Sequence, residues 1–102
     1  MIIFALTAPA AARSSEFKVY VDYLDFRPQV IQAAVGDRIT WINNSGVLHE
    51  VFFPENPLDS QTATLRYALP RHRSVSIVFN RPGEYNYTCR WHGMQGVIRV
   101  SQ

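Results

Sequence analysis

Hydrophobic and polar residues alternate along most of the chain from Phe17 onward. Phe17, Val19, Val21 and Tyr23 share one face, and polar or amphipathic residues separate them. Because successive side chains of a strand point to opposite faces, a period of two predicts half-buried β-strands rather than helices. Further extended runs are predicted, in chain order, at residues 30–35, 39–41, 47–53, 75–79, 85–89 and 98–100.

Turn-forming residues separate these runs. Residues 36–37, 43–46 and 81–83 combine glycine with Asp, Asn, Ser or Pro, which favour tight turns. Residues 54–60 contain two prolines and are predicted as a loop, whereas residues 61–69 fit either a short strand or an irregular segment. Seven or so short strands at this spacing predict an all-β fold, an antiparallel β-sandwich.

The length of 102 residues allows one hydrophobic core and a single folded domain. The net charge is only +2, and the one compact basic cluster is Arg71-His72-Arg73. A nucleic-acid binder usually presents a larger basic stripe, so we do not expect a nucleic-acid partner.

Residues 1–12 differ in composition from the rest of the chain. An apolar stretch runs into small residues, and both Ala8-Pro9-Ala10 and Ala10-Ala11-Ala12 fit a small-x-small cleavage site. The positively charged start of a secretory signal is missing, so we expect a truncated signal peptide or a disordered leader, followed by a domain at residues 13–102. The apolar run is shorter than the roughly 20 residues that span a bilayer, which argues against a membrane span.

Cys89 is the single cysteine of the chain, so no internal disulfide can form. In an exported protein, an unpaired thiol is chemically vulnerable unless it is buried or bound. We therefore expect Cys89 to have a ligand. The alternative is a core cysteine, as in an immunoglobulin-like sandwich, but the partner cysteine of that fold is absent.

A cluster of soft and borderline metal donors follows the strand that ends at Cys89. The segment Cys89-Arg90-Trp91-His92-Gly93-Met94 supplies a thiolate, an imidazole and a thioether within six residues. Two histidines and one cysteine with a weak axial Met or Gln form the ligand set of blue copper, and His49 would be the second imidazole. The predicted site is one copper ion held by His49, Cys89, His92 and Met94.

The motifs of the chain resemble those of the plastocyanin/amicyanin-type cupredoxins. The resemblance rests on these segments: Phe26-x-Pro28, Val35-Gly36-Asp37-x-Ile39-Thr40-Trp41-x-Asn43, His49-x-Val51-x-Phe53, Pro82-Gly83-x-Tyr85-x-Tyr87-x-Cys89-x-x-His92 and Gly96-x-Ile98-x-Val100. It implies a Greek-key β-sandwich with a mononuclear type 1 copper, cycling between Cu(I) and Cu(II), and electron transfer as the activity.

Two positions depart from the family pattern. Only Gly93 separates His92 from Met94, so the axial ligand is open between Met94, Gln95 and an empty or water-filled position. Family members often have Asn after the first histidine, where it ties the ligand loops together. Here Glu50 occupies that position, and we expect a charged or solvent-facing contact in place of the tie.

Together with the leader-like residues 1–12 and the small size of the domain, this electron-transfer activity predicts a bacterial periplasmic electron carrier that is not an enzyme. Redox partner proteins would dock near His92 on an apolar patch of Trp91, Gly93 and Met94, with Arg90, Arg71 and Arg73 at its rim. We expect a monomer. His72, between two arginines, is predicted to be a surface residue.

Two alternatives remain at this stage. Zinc can also bind one cysteine and several histidines, although the paired short spacings of structural zinc sites are absent. The short segment from His92 to Met94 also fits a periplasmic copper-delivery or copper-resistance protein, which would transfer the ion rather than electrons.

Overall fold

The computed structural model describes residues 14–59, 61 and 63–102, and the leader predicted at residues 1–12 lies outside them. The described residues form nine β-strands, and none of their segments is a helix long and apolar enough to cross a bilayer. The strands are β1 Glu16–Val21, β2 Phe26–Arg27, β3 Val30–Ala34, β4 Arg38–Asn43, β5 His49–Phe53, β6 Leu65–Leu69, β7 Ser74–Val78, β8 Gly83–Cys89 and β9 Met94–Ser101.

These strands build two packed sheets, which confirms the predicted all-β sandwich. The first sheet has the order β2-β1-β4-β7, and the second has the order β3-β9-β8-β5-β6. The chain crosses between sheets, so β1 pairs with β4 and β3 with β9 in parallel, whereas the other pairs are antiparallel. The sandwich is therefore mixed rather than purely antiparallel. Alternation along one strand predicts its buried face but carries no information about the direction of its neighbour.

Aromatic side chains from both sheets fill the core. The Trp41 ring of β4 lies 5.3 Å from the Tyr87 ring of β8 and 5.9 Å from the Phe53 ring of β5, both edge to face. All three residues are fully buried, and the Phe79 ring extends the cluster. Burial of rings from facing sheets supplies much of the hydrophobic free energy of a sandwich this small.

The structure refines several strand predictions. The sequence left residues 61–69 undecided between a short strand and an irregular segment. Their second half forms β6, which pairs with β5 from His49↔Leu69 to Phe53↔Leu65. Val47 and Leu48 were predicted to be in a strand but precede β5 as an exposed loop. The Phe52 side chain is only half-buried, because alternation along β5 turns Val51 and Phe53 to the core and Phe52 to the outer face.

Gly96 is required by close packing within the second sheet. It lies opposite Tyr87 in the β8–β9 ladder, and the Tyr87 ring covers it. A Cβ atom at residue 96 would overlap both the ring and the hydroxyl of Tyr87. Because the ring is buried against Trp41 and Phe53, it has little room to move aside.

We expect Gly96→Ala to lower the free energy of unfolding by about 1–3 kcal/mol, the usual cost of overpacking a core. Gln95→Ala is the matched control, since the Gln95 side chain is exposed on the same strand and its loss should cost less than about 0.5 kcal/mol. Denaturant unfolding of the metal-free proteins measures both. Equal stability of the Gly96 variant and the wild type would contradict this packing.

Candidate metal centre

Three elements bring the candidate metal ligands to one end of the sandwich. His49 is the first residue of β5, Cys89 is the last residue of β8, and His92 lies in the loop 90–93 that connects β8 to β9. Since β5 and β8 are antiparallel neighbours, the start of one lies beside the end of the other. Gly93 has a φ of +65°, a conformation suited to glycine, and it closes this short loop.

The three donor atoms point towards one another. Cys89 Sγ lies 3.3 Å from His92 Nδ1 and 3.7 Å from His49 Nδ1, and all three atoms lie within 4.8 Å of one another. The two imidazole rings are 4.6 Å apart between centroids. His49 and Cys89 are fully buried, and His92 is the least buried of the three.

This spacing fits a shared ion. Sulfur and nitrogen ligands lie about 2.0–2.3 Å from a bound d-block metal, so two of them spread around one ion are about 3.5–4 Å apart. The observed sulfur–nitrogen distances are close to that range. One thiolate and two imidazoles also form a donor set that suits copper.

The surroundings of His49 favour its neutral, ligating form. Burial, followed by the charge of nearby His92, lowers the pKa of His49 below its ordinary value. Its Nε2 atom is buried and has no hydrogen-bond partner within the described chain, so Nδ1 is the nitrogen that faces polar neighbours. A metal ligand must be deprotonated, and the lowered pKa of His49 favours that form.

The two axial candidates lie on opposite faces of β9. Met94 pairs directly with Cys89 in the β8–β9 ladder and is 2% exposed, so its side chain faces inward on the same side as Cys89. Gln95 pairs with Thr88, and its side chain is exposed. Strand alternation therefore directs Met94, and not Gln95, towards the face that carries the three donors.

Burial of Met94 corrects the predicted docking patch. The sequence suggested that Met94 joins Trp91 and Gly93 at the surface, but the pairing with Cys89 turns Met94 inward. Exposed apolar side chains at this end include Trp91 and the loop residues Val47 and Leu48, with exposed fractions of 49%, 38% and 47%. His72 is exposed, as predicted.

Glu50 makes a charged contact in the position where the family often has Asn. Its carboxylate is fully buried and accepts hydrogen bonds from Arg66 Nε at 2.7 Å, Arg90 Nε at 2.7 Å and the Arg90 backbone N–H at 3.0 Å. Hydrogen bonds from Arg90 lower the pKa of Glu50 to about 2, despite burial, and those from Arg66 add to the effect. Of the two contacts expected for Glu50, the structure shows the charged one, and the expectation of a solvent-facing contact is wrong.

Asn43 organises the loop that leads to His49, a role that the sequence analysis missed. Its buried amide donates to the backbone carbonyls of Val47 at 2.8 Å and Leu69 at 2.9 Å, and its oxygen accepts from Ser45. Leu69 pairs with His49 across β5 and β6. Asn43 was recognised only as part of a turn and of the family motif, because its distant partner Leu69 cannot be read from local sequence.

The fold and the donor cluster together define a β-sandwich metalloprotein with one cysteine and two histidines at one end. A protein-family model described as copper binding proteins, plastocyanin/azurin family, matches residues 14–101. The chain belongs to this family, its cofactor is copper, and the resemblance found in the sequence is confirmed.

Individual relatives agree with this assignment. The chain is 35% identical over 107 residues to a chloroplastic plastocyanin of Physcomitrium patens, and this match covers 95% of the chain but only 64% of the relative. It is 33% identical over 85 residues to a plastocyanin of Scenedesmus fuscus, covering 76% of the chain and 87% of the relative. A Cu(I) form of an amicyanin mutant superposes with a TM-score of 0.76 at 26% identity, covering 90% of this chain and 88% of that one.

Proposed function

We propose that this protein carries single electrons between redox partners through one type 1 copper held by His49, Cys89 and His92, with Met94 as the axial ligand. The bound copper would supply the redox chemistry, by alternating between Cu(I) and Cu(II). The observation that carries the proposal is the convergence of one thiol and two imidazole Nδ1 atoms within 4.8 Å.

The protein's part is to hold the donors in one arrangement. His49 pairs with Leu69 of β6 and Cys89 pairs with Met94 of β9, and a donor set held by strands limits the rearrangement that accompanies each electron transfer. His92 comes from a loop and is the least buried donor, so it offers the shortest route between the site and the surface.

Redox partners would dock at the end of the sandwich that carries His92. The exposed apolar side chains of Val47, Leu48 and Trp91 suit a desolvated contact. Arg71 and Arg73 follow β6 at the same end, since the backbone N–H of His72 and the carbonyl of Arg73 bond to Asn43. A partner with acidic groups around its own redox site would complement this surface and be steered by it.

We further propose that the protein is a monomeric periplasmic carrier and not an enzyme. The leader-like composition of residues 1–12 and a lone cysteine that needs a bound metal support export from the cytoplasm. Amicyanins of the bacteria Methylorubrum extorquens and Paracoccus denitrificans are among its relatives, each 29% identical. A monomer leaves the face around His92 free for exchange with partners.

Added Cu(II) should produce an intense thiolate-to-copper charge-transfer band in the visible spectrum, which a reductant bleaches. Cys89→Ser should abolish the band, because the thiolate is its electron donor. Absorption spectra of the metal-free protein during copper titration measure this. A colourless wild type that binds Zn²⁺ tightly would favour the zinc alternative.

Replacement of the axial ligand should change the reduction potential and leave most of the visible band. We expect Met94→Leu, which keeps the volume and removes the sulfur, to shift the potential, whereas the control Gln95→Ala leaves it unchanged. Voltammetry of the copper-loaded proteins measures both. A shift in the Gln95 variant alone would assign the axial position to Gln95.

Copper delivery is the second candidate function, and the short loop between His92 and Met94 favours it. A delivery protein must release its ion to an acceptor, whereas an electron carrier must retain the ion in both oxidation states. The soft thiolate and thioether suit Cu(I), and the imidazoles suit both states. The two functions therefore differ in how firmly reduced copper is held.

We expect repeated reduction and reoxidation in the presence of a Cu(I) chelator to leave most of the copper bound. Metal analysis of the protein after each cycle, following desalting, measures retention. Loss of most of the copper at the first reduction would decide for delivery.

A further inference from the structure

Glu50 is the only fully buried acidic side chain among the described residues. Alternation along β5 places it on the face opposite His49, its neighbour in the chain, so it lies on the outer side of the sheet. It is nevertheless 0% exposed, because Arg66 from β6 and Arg90 from the loop after β8 close over it. A buried carboxylate is tolerated only when it is paired and hydrogen-bonded, and this one is.

Each of the two arginines that pair with Glu50 also lies against an aromatic ring near the candidate metal ligands. The Arg90 guanidinium lies 3.9 Å above the Phe52 ring, and the Arg66 guanidinium lies 5.3 Å from the Trp91 ring. Trp91 is the residue before His92. One carboxylate thus connects the strand that begins with His49 to the loop between Cys89 and His92, both by ion pairs and by a hydrogen bond to the Arg90 backbone.

We propose that Glu50 is a positioning residue of the copper centre, which clamps the His49 strand to the loop 90–93 through Arg66 and Arg90, and whose charge lowers the reduction potential. The effect of the Glu50 charge on the reduction potential rests on the proposed function. The clamp itself involves no metal and exists in the metal-free protein.

Removing the negative charge of this cluster and removing one of its positive charges should shift the reduction potential in opposite directions. The carboxylate and two guanidinium groups carry a net charge of +1, and positive charge near the site favours Cu(I) over Cu(II). Glu50→Gln removes the negative charge and should raise the potential, by on the order of tenfold in the equilibrium constant for reduction. Arg66→Gln removes a positive charge and should lower the potential, and the double variant should return close to the wild type.

A loss of local order alone would not produce this pattern, because both single variants break the same ion pair and would shift the potential in the same direction. The matched control is Glu84→Gln. Glu84 pairs with Arg99 at 3.2 Å on the same sheet, but the pair is half-exposed and lies at the opposite end of β8 from Cys89. Exposed charges are strongly screened, so this variant should leave the potential unchanged.

The second measurement is amide hydrogen exchange of Arg90 in the metal-free protein, followed by NMR. The Arg90 N–H donates to a carboxylate at 3.0 Å, and a hydrogen bond to a charged acceptor is the stronger kind. Glu50→Gln should accelerate its exchange about tenfold, whereas Glu84→Gln should not change it.

Opposite shifts in the two single variants, with faster exchange at Arg90, would support the proposal. Shifts of the same sign, shifts no larger than that of Glu84→Gln, or unchanged exchange at Arg90 would overturn it. If Glu50→Gln does not fold, Arg66→Gln still decides, because an unchanged or raised potential contradicts the charge effect. If the wild type binds no Cu(II), the proposed function fails, and exchange at Arg90 alone decides whether the clamp exists.

Discussion

The approach of Cys89 Sγ to His49 Nδ1, at 3.7 Å in the buried end of the sandwich, is the constraint on which the site depends. Forty residues separate the two in sequence, and only antiparallel neighbours β5 and β8 bring them together. The pairing of His49 with Leu69 and of Cys89 with Met94 places the two donors without help from a metal. His92 then needs only the tight loop closed by Gly93 to complete the set.

Polar contacts outside the donor set account for much of the order at this end. Asn43 holds the loop before His49, and Glu50 holds the segment after Cys89. Both side chains are fully buried, and their hydrogen bonds go to backbone atoms of other elements as well as to side chains. Buried polar groups are costly unless satisfied, so each one selects the single arrangement in which its partners are met. Comparable outer contacts orient the ligands in other metal sites.

Much of the fold could be predicted from the sequence because alternation and turn residues are local signals. Strands β1 and β8 follow directly from a period of two, although β1 ends at Val21 and leaves the predicted Tyr23 outside it. The donor triad was also predictable, since a lone cysteine and two histidines form a distinctive chemical set, although the assignment of these three residues as the copper ligands stays a prediction. The structure adds that the three donor atoms converge.

The parts that could not be predicted depend on distant partners. Burial of Glu50 requires arginines from two other elements, and an acidic residue on the outer face of a strand is ordinarily solvated. Met94, the predicted axial ligand, was also placed in the docking patch because it lies beside His92, yet its pairing with Cys89 turns it inward. The parallel pairs depend on the path of the chain between sheets, which no periodicity within a strand encodes.

X-ray absorption at the copper K edge is the sharpest test of the ligand set, because it identifies the atoms bound to the metal. For the wild type loaded with one equivalent of Cu(II), we expect one sulfur and two imidazole nitrogens as the short ligands, and we expect Cys89→Ser to lose the sulfur contribution. Nitrogen and oxygen ligands alone in the wild type would contradict this ligand set, because copper would then be bound away from Cys89.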